Sequence, residues 1–478
     1  MRLWGIIPKH QTNIYNGESS MKITTAFFTA GIITVLFFSQ GSCSYSSEDP
    51  LGDYAGMRTI SFDQEAHGDS SSSAITLNDT STMSDYLAYA ALHNPGLEAA
   101  FNRWKASVER IPQAKALPDP RFSYSYYIDA VETRVGPQRH RFDLSQMFPW
   151  FGTRRLRGDI AEQEANALWA SFESMKRNLF YTVKRSFYEY YYLSRALELT
   201  EENLDFLESV EKVARTGYTS GKIPYQDVIR SQLEIGKLEE RLLSIKDLMI
   251  PVKAELNTAL NRPSGEPLPV SSSIPGDEGI IAEDELIKQL SHNNPELKAL
   301  DFQVKKEAKL LDLAHKQFYP DITLGINYIE TGPALMSGTP DSGKDPVMGM
   351  FTISLPLWRE KYRASVHEAQ ARQKSAVKTR NDRENSLIAD LERALFNYRE
   401  SQRKIDLYKN TLIPKARESL EVSMQAFKAG ETDYLNLIDA QRTILEFELS
   451  YERALSDRAL SFAHIELLAG TDSIDKNK

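Results

Sequence analysis

One cysteine, Cys43, stands in 478 residues, so the chain has no internal disulfide and no thiolate cage for a metal. Histidine is scarce as well. His10, His67, His93, His140, His292, His315, His367 and His464 include no pair at the i, i+3 or i, i+4 spacing of helical metal ligands. There is no phosphate-binding glycine loop and no GxSxG elbow. The 57 Lys and Arg do not outnumber the 66 Asp and Glu, and a net charge of −9 lacks the basic footprint of a nucleic-acid partner. These absences predict no enzyme, no cofactor, no bound metal and no nucleic acid. What remains is 41% hydrophobic and 26% charged, ordinary for a folded body of one large core or two domains.

The cysteine has a context. Residues 1–20 are mixed and polar; from Met21 the chain reads MKITTAFFTAGIITVLFFSQGSC. Lys22, an apolar run to Phe38, small Gly41 and Ser42, then Cys43 make a secretory signal region over 1–42, with its start at Met21. It resembles a bacterial lipoprotein signal, which implies lipid attachment at Cys43; Gln40 departs from that pattern, where an aliphatic residue is usual. The alternative is ordinary cleavage near Ser42. Ser44 is not the aspartate that retains a lipoprotein at the inner membrane, so the outer membrane is the expected destination.

The organising feature is an echo. YTSGKIPYQDVIRSQ, Tyr218 to Gln232, returns as FKAGETDYLNLIDAQ, Phe427 to Gln441. Each copy has an aromatic residue, a glycine three on (Gly221, Gly430), a tyrosine four further (Tyr225, Tyr434) and a closing glutamine. A helical pattern runs into each copy and another runs out. Glycine suits the position just past a helix because it takes positive φ without a Cβ clash. Pro224 suits the first turn of the next helix, and Thr432 its N-cap. Each copy therefore predicts the tip of a helical hairpin.

The chain before each tip also repeats. After a Ser-, Asp- and Gly-rich segment within 43–83, a helix breaks at Asn94-Pro95; the second half does so at Asn294-Pro295. Each half then changes period. Phe122, Tyr124, Tyr126 and Ile128 alternate with Ser123, Ser125 and Asp129, and Ile322, Leu324 and Ile326 alternate with Thr323, Gly325 and Asn327. Strand pairs over 120–149 and 321–356 follow, each run near the length that crosses a bilayer as a tilted strand. A helix of about sixty residues then spans about 90 Å at 1.5 Å per residue. Ile235, Leu238, Leu242, Ile245, Met249, Val252, Leu256 and Ala259 make a heptad seam on the return helix, where Pro251 predicts a kink or gap, as Pro414 does in the second half. The domain plan is a first repeat over 84–262, a linker over 263–282, a second repeat over 283–470 and a tail over 471–478.

Four membrane-length strands cannot close a barrel, and an open edge in lipid leaves backbone groups unpaired at several kcal/mol each. Closure needs about eight strands or more, so chains must share one barrel. Two chains would supply eight and three would supply twelve. The other readings are four soluble strands packed on helices, or a structural or adhesive coiled-coil trimer without transport.

Helix, Asn-Pro, helix, strand pair, long helix, glycine tip and return helix, all twice over about 84–470, resembles the TolC family of outer-membrane efflux proteins. The resemblance implies a mainly α fold with membrane β. Duplicated helical hairpins form a trimeric α-barrel, and four β-strands per chain contribute to a shared 12-stranded transmembrane β-barrel. It implies the outer membrane of a Gram-negative bacterium, a large periplasmic part and passive conduction. The implied partners are a periplasmic adaptor protein, an inner-membrane pump of the proton-driven RND or the ABC type, and outer-membrane lipid. Type I protein secretion shares the duct and stays open as an alternative. Leu144 to Arg155, LSQMFPWFGTRR, looks most like members that work with metal-exporting pumps.

Site residues follow from the same resemblance. Tyr218, Gly221, Lys222, Ile223, Phe427, Gly430 and Glu431 would meet the adaptor. Phe122, Tyr124, Tyr126, Ile128, Ile322, Leu324 and Ile326 would face lipid, with Ser123, Ser125, Thr323 and Asn327 toward the lumen. The family rings its constriction with two aspartates past the second tip. Those positions are Asn436 and Asp439 here, so one carboxylate is missing. The family's closing link also joins a tyrosine and an arginine to an aspartate after the first tip. Asp227 keeps that aspartate, while Phe427 and Thr432 replace its partners. Met336, Met348 and Met350 lie near one strand pair, and Phe187, Tyr188, Tyr190, Tyr191 and Tyr192 form an aromatic run; packing is the expected role of both.

Overall fold

The structure is a computed structural model that describes residues 77–78, 81–269, 274, 282–429 and 434–471. The signal region with Cys43, most of the linker, and Gly430 and Glu431 of the second tip lie outside the described residues, as do Thr432 and Asp433.

The first half opens with α1 (Met83–His93), whose start is a capping box between Thr82 and Asp85. Asn94 then caps α2 (Pro95–Val108), with Pro95 at its first position, where the missing N–H costs nothing. A short helix, α3 (Arg110–Lys115), starts afresh after Glu109. Strands β1 (Arg121–Thr133) and β2 (Gly136–Phe148) lead into α4 (Thr153–Thr219), 67 residues long, and α5 (Tyr225–Ala259) returns. Pro251 lies inside α5 without ending it, on an exposed face where water can take the carbonyl it leaves free.

The second half repeats the plan with α6 (Glu283–Asn293), α7 (Pro295–Lys316), β3 (Ile322–Thr331), β4 (Val347–Ile353) and α8 (Arg359–Leu407). A π-helical turn, Tyr408–Leu412, then separates α8 from α9 (Ile413–Ala429). The feature expected at Pro414 is therefore a widened turn just before it. Proline has no N–H to give and its ring crowds the preceding turn, which a π turn relieves. The last helix, α10 (Tyr434–Ala469), returns.

Two apolar clusters mirror each other. Tyr86, Ala90, Val183, Phe187, Leu256 and Leu260 pack where α1 meets α4 and α5. Leu286, Leu290, Leu297, Leu391, Leu395 and Leu468 pack where α6 and α7 meet α8 and α10. The aromatic run is packing here: Tyr86 meets Phe187 edge-on at 5.5 Å, and Tyr188 and Tyr191 are buried.

One polar device stitches each cluster. Asn294 Oδ1 accepts from the N–H groups of Glu296 (2.9 Å) and Leu297 (3.2 Å), while its Nδ2 donates to the Leu468 carbonyl at 3.0 Å. Asn94 does the same with Leu97 N–H (3.1 Å) and the Ala259 carbonyl (3.2 Å). One side chain thus satisfies a free donor at a helix start and a free acceptor at another helix end.

Candidate functional site

The four strands form one antiparallel sheet in the order β1-β2-β3-β4, which leaves β1 and β4 as edges. Residues directly opposite in such a ladder point to the same face. Phe122 pairs with Leu144 and Leu144 with Ile326; Tyr124 pairs with Phe142 and Phe142 with Tyr328. Ile322 pairs with Phe148 and Ile353, and Leu324 with Phe351. These rows share one apolar face, interrupted by Gln146, whose side chain donates to the Pro118 carbonyl at 2.7 Å. Toward the loop end His140 and Glu330 join the row of Tyr126, and the apolar band stops.

The other face is mainly polar. Ser123, Asp143, Asn327 and Met348 form one row, and Ser125, Arg141 and the buried Ile329 another. Arg141 Nη2 lies 3.1 Å from Asp143 Oδ1, and Asn327 Nδ2 donates to the same oxygen. Asn327 is only 2% exposed, because its neighbours close over it. Thr323 pairs with Met147 and Thr352, and Met350 lies over Gly325, where a Cβ would stand 2.9 Å from its methyl carbon. Ile128 is the one expected lipid-facing residue that the register does not assign to a face. It is 86% exposed, but pairing shifts between Tyr126 and Val131, and strict alternation breaks down across such an irregularity.

At the first tip, Gly221 takes φ +72° just past α4. Lys222 N–H donates to the Gly217 carbonyl and Gly221 N–H to the Tyr218 carbonyl, both at 2.9 Å, the two bonds of a Schellman motif. A second glycine matters here. A Cβ on Gly217 would stand 2.5 Å from Ile223 Cδ1, so its absence lets Ile223 fold back over the helix end. Tyr218 and Lys222 are exposed, and Tyr218 lies against Tyr225 with ring centroids 5.0 Å apart. Pro224 is the N-cap of α5, one residue before its expected place in the first turn.

Beside the tip the halves are joined by polar contacts that the sequence did not reveal. Tyr434, 1% exposed, shares a hydrogen bond with Ser231 Oγ, and Phe427 meets its ring edge-on at 5.8 Å. Burial raises the Tyr434 phenol pKa, against the Ser231 hydrogen bond and with nearby Asp227, Glu211 and Glu234. Glu211 accepts from Arg215 at 2.6 Å and from Gln232 at 3.1 Å, and the Arg215 bond above all holds its carboxyl below the usual range. Arg442 reaches Glu234 at 2.9 Å and Asp439 at 3.5 Å. Burial works against the Glu234 charge, yet Lys237 and Arg442 outweigh it and lower its pKa.

Asn436 and Asp439 line one side of an open groove of about 440 Å³ between α9 and α10, with Ala416, Ser419 and Val422 opposite. Asp227 is not brought to that groove. It is buried at the start of α5, with Arg230 3.6 Å away. Among the described residues no group of three or more His, Cys, Asp or Glu side chains could hold a metal ion, and no helix is long and apolar enough to cross a membrane.

A family model described as outer membrane efflux protein matches residues 87–262 and 286–471. The chain belongs to the outer membrane efflux protein family. Nodulation protein T of Rhizobium leguminosarum bv. trifolii is 22% identical over 416 residues, 81% of this chain and 85% of that protein. Cobalt-zinc-cadmium resistance protein CzcC of Cupriavidus metallidurans is 20% identical over 389 residues, 81% and 90%. The crystal structure of VceC, an outer membrane protein from Vibrio cholerae, superposes with a TM-score of 0.69 at 18% identity, covering 81% of this chain and 96% of that one. This outer membrane efflux protein therefore shares the chain fold of channels built from a helical barrel and a β-barrel.

Two signals for the missed contacts were available in this efflux protein's sequence. Tyr434 and Gln232 both stood out in the echo, and Arg442 follows Asp439 by three residues, a helical ion-pair spacing. The partners of Tyr434 and Gln232 could not be read, because they come from other helices.

Proposed function

We propose that three copies of this chain close one 12-stranded barrel and act as the passive exit duct of a tripartite efflux system. The observation that carries the reading is the open sheet: four strands, two unpaired edges, one apolar face and one polar face. Such a sheet is stable in lipid only when neighbouring copies pair its edges. The apolar rows then meet acyl chains, and the face that carries Ser123, Ser125 and Asp143 lines water, with Asn327 buried beneath its neighbours. The family's channels work as trimers with an adaptor and an inner-membrane pump. The exposed first tip, with Tyr218, Gly221, Lys222 and Ile223, is the surface for the adaptor, and Phe427, Gly430 and Glu431 supply its counterpart. Asp439, with Asn436 beside it, is the carboxylate of the constriction. Cys43 is the lipid anchor.

The test is single-channel conductance of the purified protein in a planar bilayer. Discrete steps are expected, with subunit crosslinks between β4 and β1 of adjacent copies. No conductance from an assembled trimer would favour a non-transporting coiled-coil assembly, and a monomer in the membrane would overturn the shared barrel.

A further inference from the structure

At the foot of the sheet a cleft of about 440 Å³ opens between the start of α4 and the end of α7. Arg155 and Leu156 form one wall; Lys309, His315, Lys316 and Tyr319 form the other. Asp159 neutralises Lys309 at 3.2 Å. Arg155 and His315 are exposed, and neither has a carboxylate partner among the described residues. The Lys316 ammonium lies 5.7 Å from the Tyr319 ring centroid. Asp312 shares the wall, and the cleft still keeps a net positive charge with His315 neutral.

The cleft continues the apolar face. Phe148 and Ile322, paired across β2 and β3, end that face. The chain then passes Trp150 and Tyr319, stacked at 5.2 Å with ring planes 11° apart, and Phe151 stands 78% exposed beside them. The second strand-to-helix junction has the same order: exposed Leu355, Leu357 and Trp358, then Arg359 and Lys361. Aromatic side chains followed by cations are the side chains that suit a membrane–water boundary, where acyl chain gives way to charged headgroup.

We propose that this cleft holds the headgroup of an anionic phospholipid from the inward-facing leaflet of the outer membrane. Its phosphate lies between Arg155 and Lys316, and its acyl chains run over Phe148 and Ile322. The inference rests on the duct reading. Arginine offers a planar fork to phosphate oxygens and lysine a point charge, so the pair suits a phosphodiester.

The experiment uses the full chain in nanodiscs of phosphatidylethanolamine, with and without phosphatidylglycerol. Lipids retained after detergent extraction are counted by native mass spectrometry, and conductance is recorded on the same preparations. The parent is expected to keep phosphatidylglycerol over phosphatidylethanolamine. Arg155→Ser with Lys316→Ser should weaken retention by about thirtyfold, two cations each acting near a charged surface. Lys374→Ser with Lys378→Ser, on an exposed stretch of α8, should retain lipid as the parent does. Equal retention in the cleft pair, with conductance intact, overturns this inference and leaves the duct standing. A parent that does not conduct overturns both. Inorganic phosphate is the second probe: if it displaces the lipid at equal concentration, the cleft is a plain anion site and the lipid assignment falls.

Discussion

Replacing Asn294 with alanine should loosen the junction of α6, α7 and α10 more than any neighbouring polar change. The side chain accepts two N–H bonds at the start of α7 and donates to the Leu468 carbonyl at 3.0 Å in a buried site. Loss of an N-cap costs about 1 kcal/mol. A buried carbonyl left without a donor costs about 1–3 kcal/mol. Together these give about 2–4 kcal/mol, or roughly 30- to several-hundred-fold faster local opening. Hydrogen exchange read by mass spectrometry should find it in peptides covering 290–300 and 462–470. Asn294→Asp separates the two terms, because the carboxylate keeps the cap acceptor and loses the donor. Its α7 amides should stay protected while the 462–470 segment opens. Asn94→Ala should cost less, since its bond to Ala259 is longer, 3.2 Å, and only partly buried. Unchanged exchange in Asn294→Ala, or full protection of 462–470 in Asn294→Asp, would refute the argument.

Arginine at Tyr124 or Leu324, on the apolar face, should cost about 2–4 kcal/mol in barrel stability, measured by urea unfolding in lipid. At Ser125 it should leave stability alone and change conductance; equal destabilisation at both faces would contradict the face assignment. Lys222→Glu should abolish crosslinking to the adaptor while the trimer still assembles, and undiminished crosslinking would count against the tip contact. Asp439→Ala should remove block by multivalent cations, with Asp433→Ala as control, and Arg442→Ala should deepen block by freeing Asp439 from its 3.5 Å partner. Equal block in the two aspartate variants would sink the constriction assignment. The Glu234 charge is stabilised in the fold, so its contribution is present above the ordinary glutamate pKa of 4.5 and lost as pH falls through the lowered value. Acidification through that range should open the contact to Arg442, seen as faster exchange around 230–238, and Glu234→Gln should remove the pH dependence.

The sequence alone determined everything that depends on local period and punctuation. Alternating Phe122, Tyr124 and Tyr126 wrote a two-faced strand, three- and four-residue spacing wrote the long helices, and Asn-Pro and glycine marked where they break. The 209-residue echo between the tips promised equal halves. Tertiary structure broke that equality: Tyr225 is 55% exposed, while its echo Tyr434 is 1% exposed and bonded to Ser231. The shared pattern cannot foresee this, because burial is set by which other helices lie alongside: Tyr434 packs with Leu207, Val210 and Val228 of α4 and α5 and against Phe427 of α9, while Tyr225 meets Tyr218 at the exposed tip. The same holds for Arg442 with Glu234, for Asn294 with Leu468 and for the register shift that takes Ile128 out of strict alternation. Each joins residues far apart in the chain or depends on a partner strand's register, and neither is written in a run of a dozen residues.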